Sequence, residues 1–303
     1  MSDERTPGGV SRRDLLGLGL SRVRERFDAE LPEALATQMR RPERRAEPPW
    51  VAWDVAPPED SQRFTAVAAG RLVEAGGVSE GERVLDLACG QGEVAVAAAR
   101  RGAQVTAVDF ARSPLDRGRE LAAAEGLDID WLEQDALDLQ LGDGWFDRSL
   151  SGFGVIWATD PPRGIQELFR VTRPGGTVGF TTWTNIGFFG GLLRLARDEG
   201  LLPGGRSPSA WGRDERVRQD IEPMASDLEL NPRQLELDLG DAQALWDLVG
   251  HSAAPMARLL ARRSDQDRER VESDVIRLAG DGSEDGRTVS ARYLEVVAAV
   301  PAV

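Results

Sequence analysis

Residues 83–93 read Arg-Val-Leu-Asp-Leu-Ala-Cys-Gly-Gln-Gly-Glu. The short apolar run Val84 to Ala88, bounded by polar residues, predicts a buried strand. Gly90 and Gly92 then turn the chain tightly, because a residue without Cβ lets the backbone pass close to a ligand. Val94 to Arg101 follows as a small-residue helix, with Gly102 placed as its C-cap glycine. Strand, glycine turn and helix N-terminus together offer free backbone N–H groups to a bound molecule. Gly90-x-Gly92-x-x-Ala95, with Asp109 nineteen residues beyond Gly90, fits a loose dinucleotide fingerprint. Asp86 opposes that reading: a carboxylate beside the turn repels a pyrophosphate and suits a ligand carrying an ammonium or sulfonium group.

Outward from this stretch the chain alternates strands and helices. Gln104 to Val108, Ile129 to Leu132, Phe146 to Gly152 and Thr177 to Trp183 are apolar strands. Between them lie a helix from Ser113-Pro114 to Gly126, with Ser113 as N-cap, and another starting at Asp160-Pro161-Pro162. Arg173-Pro174-Gly175-Gly176 is a sharp turn. This alternation predicts an α/β fold with a parallel, doubly wound sheet, and ligands then lie beyond the strands' carboxyl ends. Gly90, Asp109 and Asp135 all fall there. A helix over Ser61 to Ala75 precedes the first strand.

Before and after this core the pattern loosens. Residues 1–45 read as an extension holding one amphipathic helix, Arg13 to Phe27, with Pro42, Pro48 and Pro49 as linker; residues 46–303 read as a single domain. Trp50 and Trp53 either cover a ligand or staple the first helix to the sheet. Within 185–230, a helix over Gly187 to Glu199 and a Pro/Gly-rich loop over Leu201 to Trp211 form a plausible substrate cover. Gln234 to Leu239 is an alternating strand, Ala242 to Val249, Ala257 to Arg263 and Gln266 to Leu278 are helices, and Thr288 to Val300 is a closing strand. The last two strands are suited to antiparallel pairing at a sheet edge.

Composition excludes several function classes. The formal charge is −14, and every cationic side chain is arginine. Such a field repels phosphate backbones, so nucleic acid is not an expected partner. No apolar run approaches 18 residues, so no membrane span is expected. Ser11-Arg12-Arg13-Asp14-Leu15-Leu16 superficially resembles a twin-arginine signal, but its apolar run is short and no cleavage site follows; a cytoplasmic location is expected. Cys89 is the single cysteine and reads as a small packing residue, and one histidine, His251, argues against a metal site.

The run Val84 to Gly92 resembles the first motif of the class I S-adenosylmethionine-dependent methyltransferases. Asp109, Asp135-Ala136, Phe146-Asp147 and Arg173-Pro174-Gly175-Gly176-Thr177 resemble that family's later motifs, in family order over about 100 residues. Gly179 to Thr184, Phe188-Phe189-Gly190, Ser207-Pro208, Trp211-Gly212 and Tyr293 to Ala298 are similar to a bacterial small-molecule subgroup related to the ubiquinone/menaquinone-type enzymes. The resemblance covers roughly 50–303. It implies a Rossmann-like sheet of seven strands in the order 3-2-1-4-5-7-6, with helical cap insertions, and S-adenosyl-L-methionine as cofactor.

Residue by residue, the resemblance implies that Asp86, Ala88, Gly90 and Gly92 hold the methionine end, and that Asp109 accepts hydrogen bonds from both ribose hydroxyls. Asp135 would accept from the adenine amino group beside the Ala136 N–H. Ser151 and Phe153 would flank the methionine portion, and Phe110 completes the cofactor-binding set. Trp50, Trp53, Trp183, Phe188 and Trp211, together with Phe189, either line an acceptor pocket or pack the core. The expected reaction is methyl transfer by in-line displacement to a small-molecule acceptor, on oxygen, carbon or nitrogen. No catalytic side chain is obligatory; His251 is the only imidazole available as a base, and it reads more readily as a surface or helix-end histidine. The alternatives are a protein of this fold that binds a ligand without turnover, and a nicotinamide oxidoreductase.

Overall fold

A computed structural model of the chain describes residues 62–200, 208–238, 263–281 and 288–302, with 246 and 260. The expectations for residues 1–45, Trp50, Trp53, the helix Ala242 to Val249 and His251 lie outside the described residues.

Seven strands form one sheet in the order β3-β2-β1-β4-β5-β7-β6. They are β1 (Arg83–Leu87), β2 (Gln104–Asp109), β3 (Ile129–Glu133), β4 (Phe146–Ser151), β5 (Thr172–Trp183), β6 (Asp227–Asp238) and β7 (Thr288–Ala299). β1 to β5 pair in parallel, and β7 is antiparallel to both β5 and β6. The described helices are α1 (Gln62–Ala75), α2 (Glu93–Ala99), α3 (Arg112–Ala124), α4 (Pro161–Val171), α5 (Gly187–Asp198), α6 (Asp214–Ile221) and α7 (Asp265–Asp281). β1 lies at the centre, where covering both faces demands a nearly unbroken apolar run, and Val84, Leu85 and Leu87 are fully buried. Asp86 is the single charged residue among those buried positions. Strand order reverses between β1 and β4, so the crevice at their carboxyl ends is the topological place for a ligand.

Helices seal the sheet by close packing. Leu72 of α1 is fully buried over the middle of β4 and β5. A Cβ on Gly179 would come within 2.9 Å of Leu150 and 3.2 Å of Leu72, so the glycine lets the helix approach. α4 buries Ile165, Leu168 and Val171 on one face, and Asp160 caps it by accepting the Arg163 N–H.

Three local readings change. Ser113 is not the N-cap of α3: the helix starts at Arg112 with Ala111 as cap. The Asp109 carboxylate takes the Ala111 N–H at 2.8 Å and turns the chain earlier. Pro114 remains within the first turn, where its missing N–H costs nothing. β6 begins at Asp227 rather than Gln234, because Pro232 interrupts the sequence pattern but is compatible with a strand at the sheet's edge. The Arg173–Gly176 turn is a bulge in β5: Phe146 pairs with Thr172 while Arg148 pairs with Thr177. Gly175 has φ 69°, and a Cβ on Gly176 would meet the Asp147 carbonyl at 2.7 Å.

Candidate functional site

Past Leu87 the chain leaves β1 through Ala88, Gly90 and Gly92, with φ of 52°, 56° and 83°. The two glycines serve different ends. A Cβ on Gly92 would come within 2.4 Å of Trp131, so that glycine allows close packing against β3. A Cβ on Gly90 would have nothing within 4 Å, so the backbone there faces open space. Ala88 holds the same left-handed conformation without being glycine, which costs about 1–2 kcal/mol. Its carbonyl is covered by Gly154, where a Cβ would sit 2.0 Å away. Phe153 is the second non-glycine residue of this kind, with φ 58°, and its N–H donates to Thr181 Oγ1 at 2.9 Å. Strain of this sort concentrates where a site must be shaped.

Asp109 ends β2 and fixes the turn. Its Oδ2 accepts the Gly90 N–H and its Oδ1 the Ala111 N–H, both at 2.8 Å. A carboxylate offers about four lone-pair directions, so each oxygen keeps acceptor capacity beyond these bonds. Phe110 follows, 44% exposed, an unusual position for a large apolar ring. On the neighbouring strand end Asp135 is exposed and accepts the Leu137 N–H at 2.9 Å, while Ala136 is buried.

Asp86 is 1% exposed, and its Oδ2 accepts the Ala95 N–H at 2.9 Å inside the first turn of α2. Its Oδ1 is buried without a hydrogen-bond partner among the described residues. Burial pushes its pKa well above the ordinary carboxylate value; the Ala95 N–H opposes this, and the charges of Glu93 and Asp109 add to it. Glu93, the first residue of α2, is also raised by burial, against the pull of its own N–H and the Thr65 hydroxyl at 3.4 Å. Burial and the charges of Asp86, Asp109 and Glu93 push the Cys89 thiol up as well, which keeps it protonated and unreactive. These groups line one narrow cleft with Thr65, Ala69, Val94, Gly152 and Phe153.

Phe153 joins this cleft to an aromatic column. Its ring stacks on Trp183 at 4.0 Å, Trp183 stacks on Phe189 at 4.2 Å, and Tyr293 stands edge-on to Phe153 at 5.5 Å. Phe188 and Trp211 are buried; Phe188 packs edge-on against Phe189, and Trp211 against Phe180. Ser151 is fully buried, its hydroxyl donating to the Leu87 carbonyl at 2.7 Å and accepting the Val155 N–H at 3.0 Å. Its side chain therefore ties β1 to the turn after β4.

The methyltransferase-domain family matches residues 84–176, the stretch from β1 to the bulge of β5. An uncharacterized protein of Mycobacterium tuberculosis is 36% identical over 197 residues, 64% of this chain and 72% of that protein. The chain belongs to the class I S-adenosylmethionine-dependent methyltransferases. Within that family it is related to the quinone methyltransferases: the demethylmenaquinone methyltransferase of Clavibacter sepedonicus is 40% identical over 98 residues, 32% of this chain and 40% of that enzyme. Among solved structures, the YcgJ protein of Bacillus subtilis shares the fold at a TM-score of 0.54 and 14% identity, covering 78% of this chain and 99% of that one. Phosphoethanolamine N-methyltransferase 2 of Haemonchus contortus, solved with phosphomonomethylethanolamine and S-adenosylhomocysteine, aligns at a TM-score of 0.50 and 18% identity, over 78% of this chain and 53% of that one.

Sequence reasoning about this methyltransferase missed two cleft residues, Glu93 and Thr65. An acidic residue in a helix's first turn has an ordinary explanation in the helix dipole, which hid Glu93. Thr65 reaches the cleft only because α1 lies against α2. Among the described residues, no helix is long and apolar enough to cross a membrane, and no cluster of three or more His, Cys, Asp or Glu could hold a metal ion.

Proposed function

We propose that this methyltransferase binds S-adenosylmethionine at the carboxyl ends of β1 to β4 and transfers its methyl group to a small-molecule acceptor. The observation that carries this reading is the turn at Gly90, where the Asp109 carboxylate fixes a backbone that faces open space. A nucleoside with a cationic tail fits such a site. Asp109 has acceptor capacity for the two ribose hydroxyls, exposed Phe110 gives a flat apolar face for the base, and Asp135 with Ala136 takes the amino edge. Asp86, with one buried oxygen unpartnered among the described residues, takes the positive end beside the Ala88–Gly92 backbone.

When bound, the cofactor would supply an electrophilic methyl group on a sulfonium, with Asp86, the Ala88–Gly92 backbone, Asp109 and Asp135 holding it. The chain's share of this work is alignment and exclusion of water, worth up to about 7–11 kcal/mol in ideal cases. Phe153 lines the cleft and is backed by the stacked rings of Trp183 and Phe189, which supports a flat, apolar acceptor and agrees with the relation to quinone enzymes. Residues 46–303 act as one domain, with 185–230 as the cover over that acceptor.

Calorimetric titration with S-adenosylhomocysteine tests the binding step, and equimolar uptake is expected. Absence of binding at millimolar ligand would end the reading. Incubation with methyl-labelled cofactor and a cell metabolite extract then identifies the acceptor. Tight cofactor binding with no labelled product across such extracts would instead favour a ligand-binding protein without turnover.

A further inference from the structure

The cleft beside Gly90 holds more negative charge than the methyl-donor reading alone requires. Asp86 and Glu93 both line it, with Asp109 close by, and none of the described residues lining it is cationic. Among the described residues, the groups facing the pair are Asp109 from β2, Cys89 from the turn, and the uncharged Thr65 from α1, and none of these supplies a positive charge. Elsewhere in the protein, buried carboxylates are met by arginine: Glu167 by Arg170 and Arg163, and Glu295 by Arg233. Here Asp86 lines the cleft, and its Oδ1 is buried with no hydrogen-bond partner among the described residues. A buried carboxylate in that position is either protonated or awaiting a cation.

Resting on the proposed binding of S-adenosylmethionine, we infer that Glu93 is a further determinant of methyl-donor specificity, acting with Asp86 as a two-carboxylate receptor that takes up the sulfonium cation in exchange for a proton. The exchange balances: the ligand-free pair holds a proton, the sulfonium carries one positive charge, and the proton passes to solvent as the ligand enters. S-Adenosylhomocysteine carries the same ammonium and carboxylate but a neutral sulfur, so it displaces fewer protons. The receptor thus favours substrate over product by charge, and this preference grows as pH rises. Glu93 is suited to this part because its carboxylate is held only by its own backbone N–H and by a long Thr65 hydroxyl contact at 3.4 Å, and by no cation among the described residues.

The test is calorimetric titration of the full chain with S-adenosylmethionine and, separately, S-adenosylhomocysteine, in phosphate and in Tris at pH 6 and pH 8. The difference between buffers counts the protons released. The inference expects more protons released by S-adenosylmethionine than by S-adenosylhomocysteine. It also expects Glu93→Gln, which keeps the Thr65 contact, to weaken S-adenosylmethionine on the order of tenfold at pH 8, the low end of the coupling between close, partly buried charges. S-Adenosylhomocysteine should weaken by far less. Equal proton counts for the two ligands, or equal losses of affinity in Glu93→Gln, would overturn the inference while leaving the proposed function standing. If the native protein binds neither ligand, the proposed function fails and takes the inference with it. Thermal melting of Glu93→Gln without ligand is the folding control.

Discussion

At the amino ends of the strands, Asp147 accepts the Arg83 N–H at 2.8 Å and Arg173 Nε at 2.7 Å. At the carboxyl end of the same sheet, Asp86 has one oxygen on the Ala95 N–H and the other on no described partner. Burial acts against charge in both places, but the Arg173 guanidinium and the Arg83 N–H hold the Asp147 carboxyl below its usual range. Glu167 on α4 follows Asp147: burial is outweighed by Arg170, by the Leu139 N–H and by Arg163. Glu93 follows Asp86. The same side-chain chemistry thus contributes stability where arginine or backbone N–H groups neutralise it, and opposes stability where the site leaves it uncompensated. The lesson is that the residues proposed for recognition are held in place at a local cost in stability.

The largest effect expected from breaking the contrast is at Asp109, which serves both sides of it. Asp109→Ala releases the Gly90 and Ala111 N–H groups and removes the proposed ribose acceptor. Hydrogen bonds to charged groups contribute about 1.5–3 kcal/mol each, so affinity for S-adenosylhomocysteine should fall on the order of a hundredfold or more by calorimetry. Next comes Glu167→Ala, which leaves Arg170 and the Leu139 N–H without their acceptor. Since Arg170 keeps partial access to water, the loss should be about 2–3 kcal/mol, just below the range for breaking a fully buried pair. Urea unfolding measures it, and an unchanged midpoint would show that the arginine-held side is dispensable.

Asp86→Asn should act with the opposite sign on stability. The amide still accepts the Ala95 N–H but carries no buried charge, so the ligand-free protein should gain about 1 kcal/mol at pH 7 while losing affinity for the methyl donor. A variant that loses stability and keeps its affinity would dissolve the contrast. The smallest effect is in the pH profile of thermal stability. Asp147, Glu167 and Glu199 have depressed pKa values when folded, so the stability they contribute is present above the ordinary carboxylate range and is lost as pH falls through their folded values. Asp86 and Glu93 have raised values, so they cost stability as pH climbs from the ordinary carboxylate range through their folded values. Saturating S-adenosylmethionine should flatten the second limb and leave the first unchanged.

The parallel half of the sheet was legible because covered strands must be apolar and the turns between them need glycine or proline; Val84 to Gly92 carried that logic within nine residues. Asp109 was legible as a strand-end carboxylate, although its second task, starting α3 in place of Ser113, depends on a backbone geometry that no spacing reveals. β6 was shortened by Pro232, since a one-dimensional pattern does not know that a strand will lie at an edge. Glu93, Thr65 and the stacking of Phe153, Trp183 and Phe189, three rings that the sequence had named singly, escaped for a shared reason. Each gains its meaning from a neighbour distant in sequence: α1 against α2, or the end of β4 against the end of β5.

Pro232 has one more consequence. The sheet ends at β6, where a twelve-residue strand would ordinarily be an open template for another chain. Here the proline removes a backbone N–H midway along, and Asp227, Glu229, Glu236 and Asp238 stand exposed on either side of it. A second strand would meet both a gap in the hydrogen-bond ladder and a row of like charges. This border of the sheet is built to refuse company, so self-association by adding a strand along β6 is not expected.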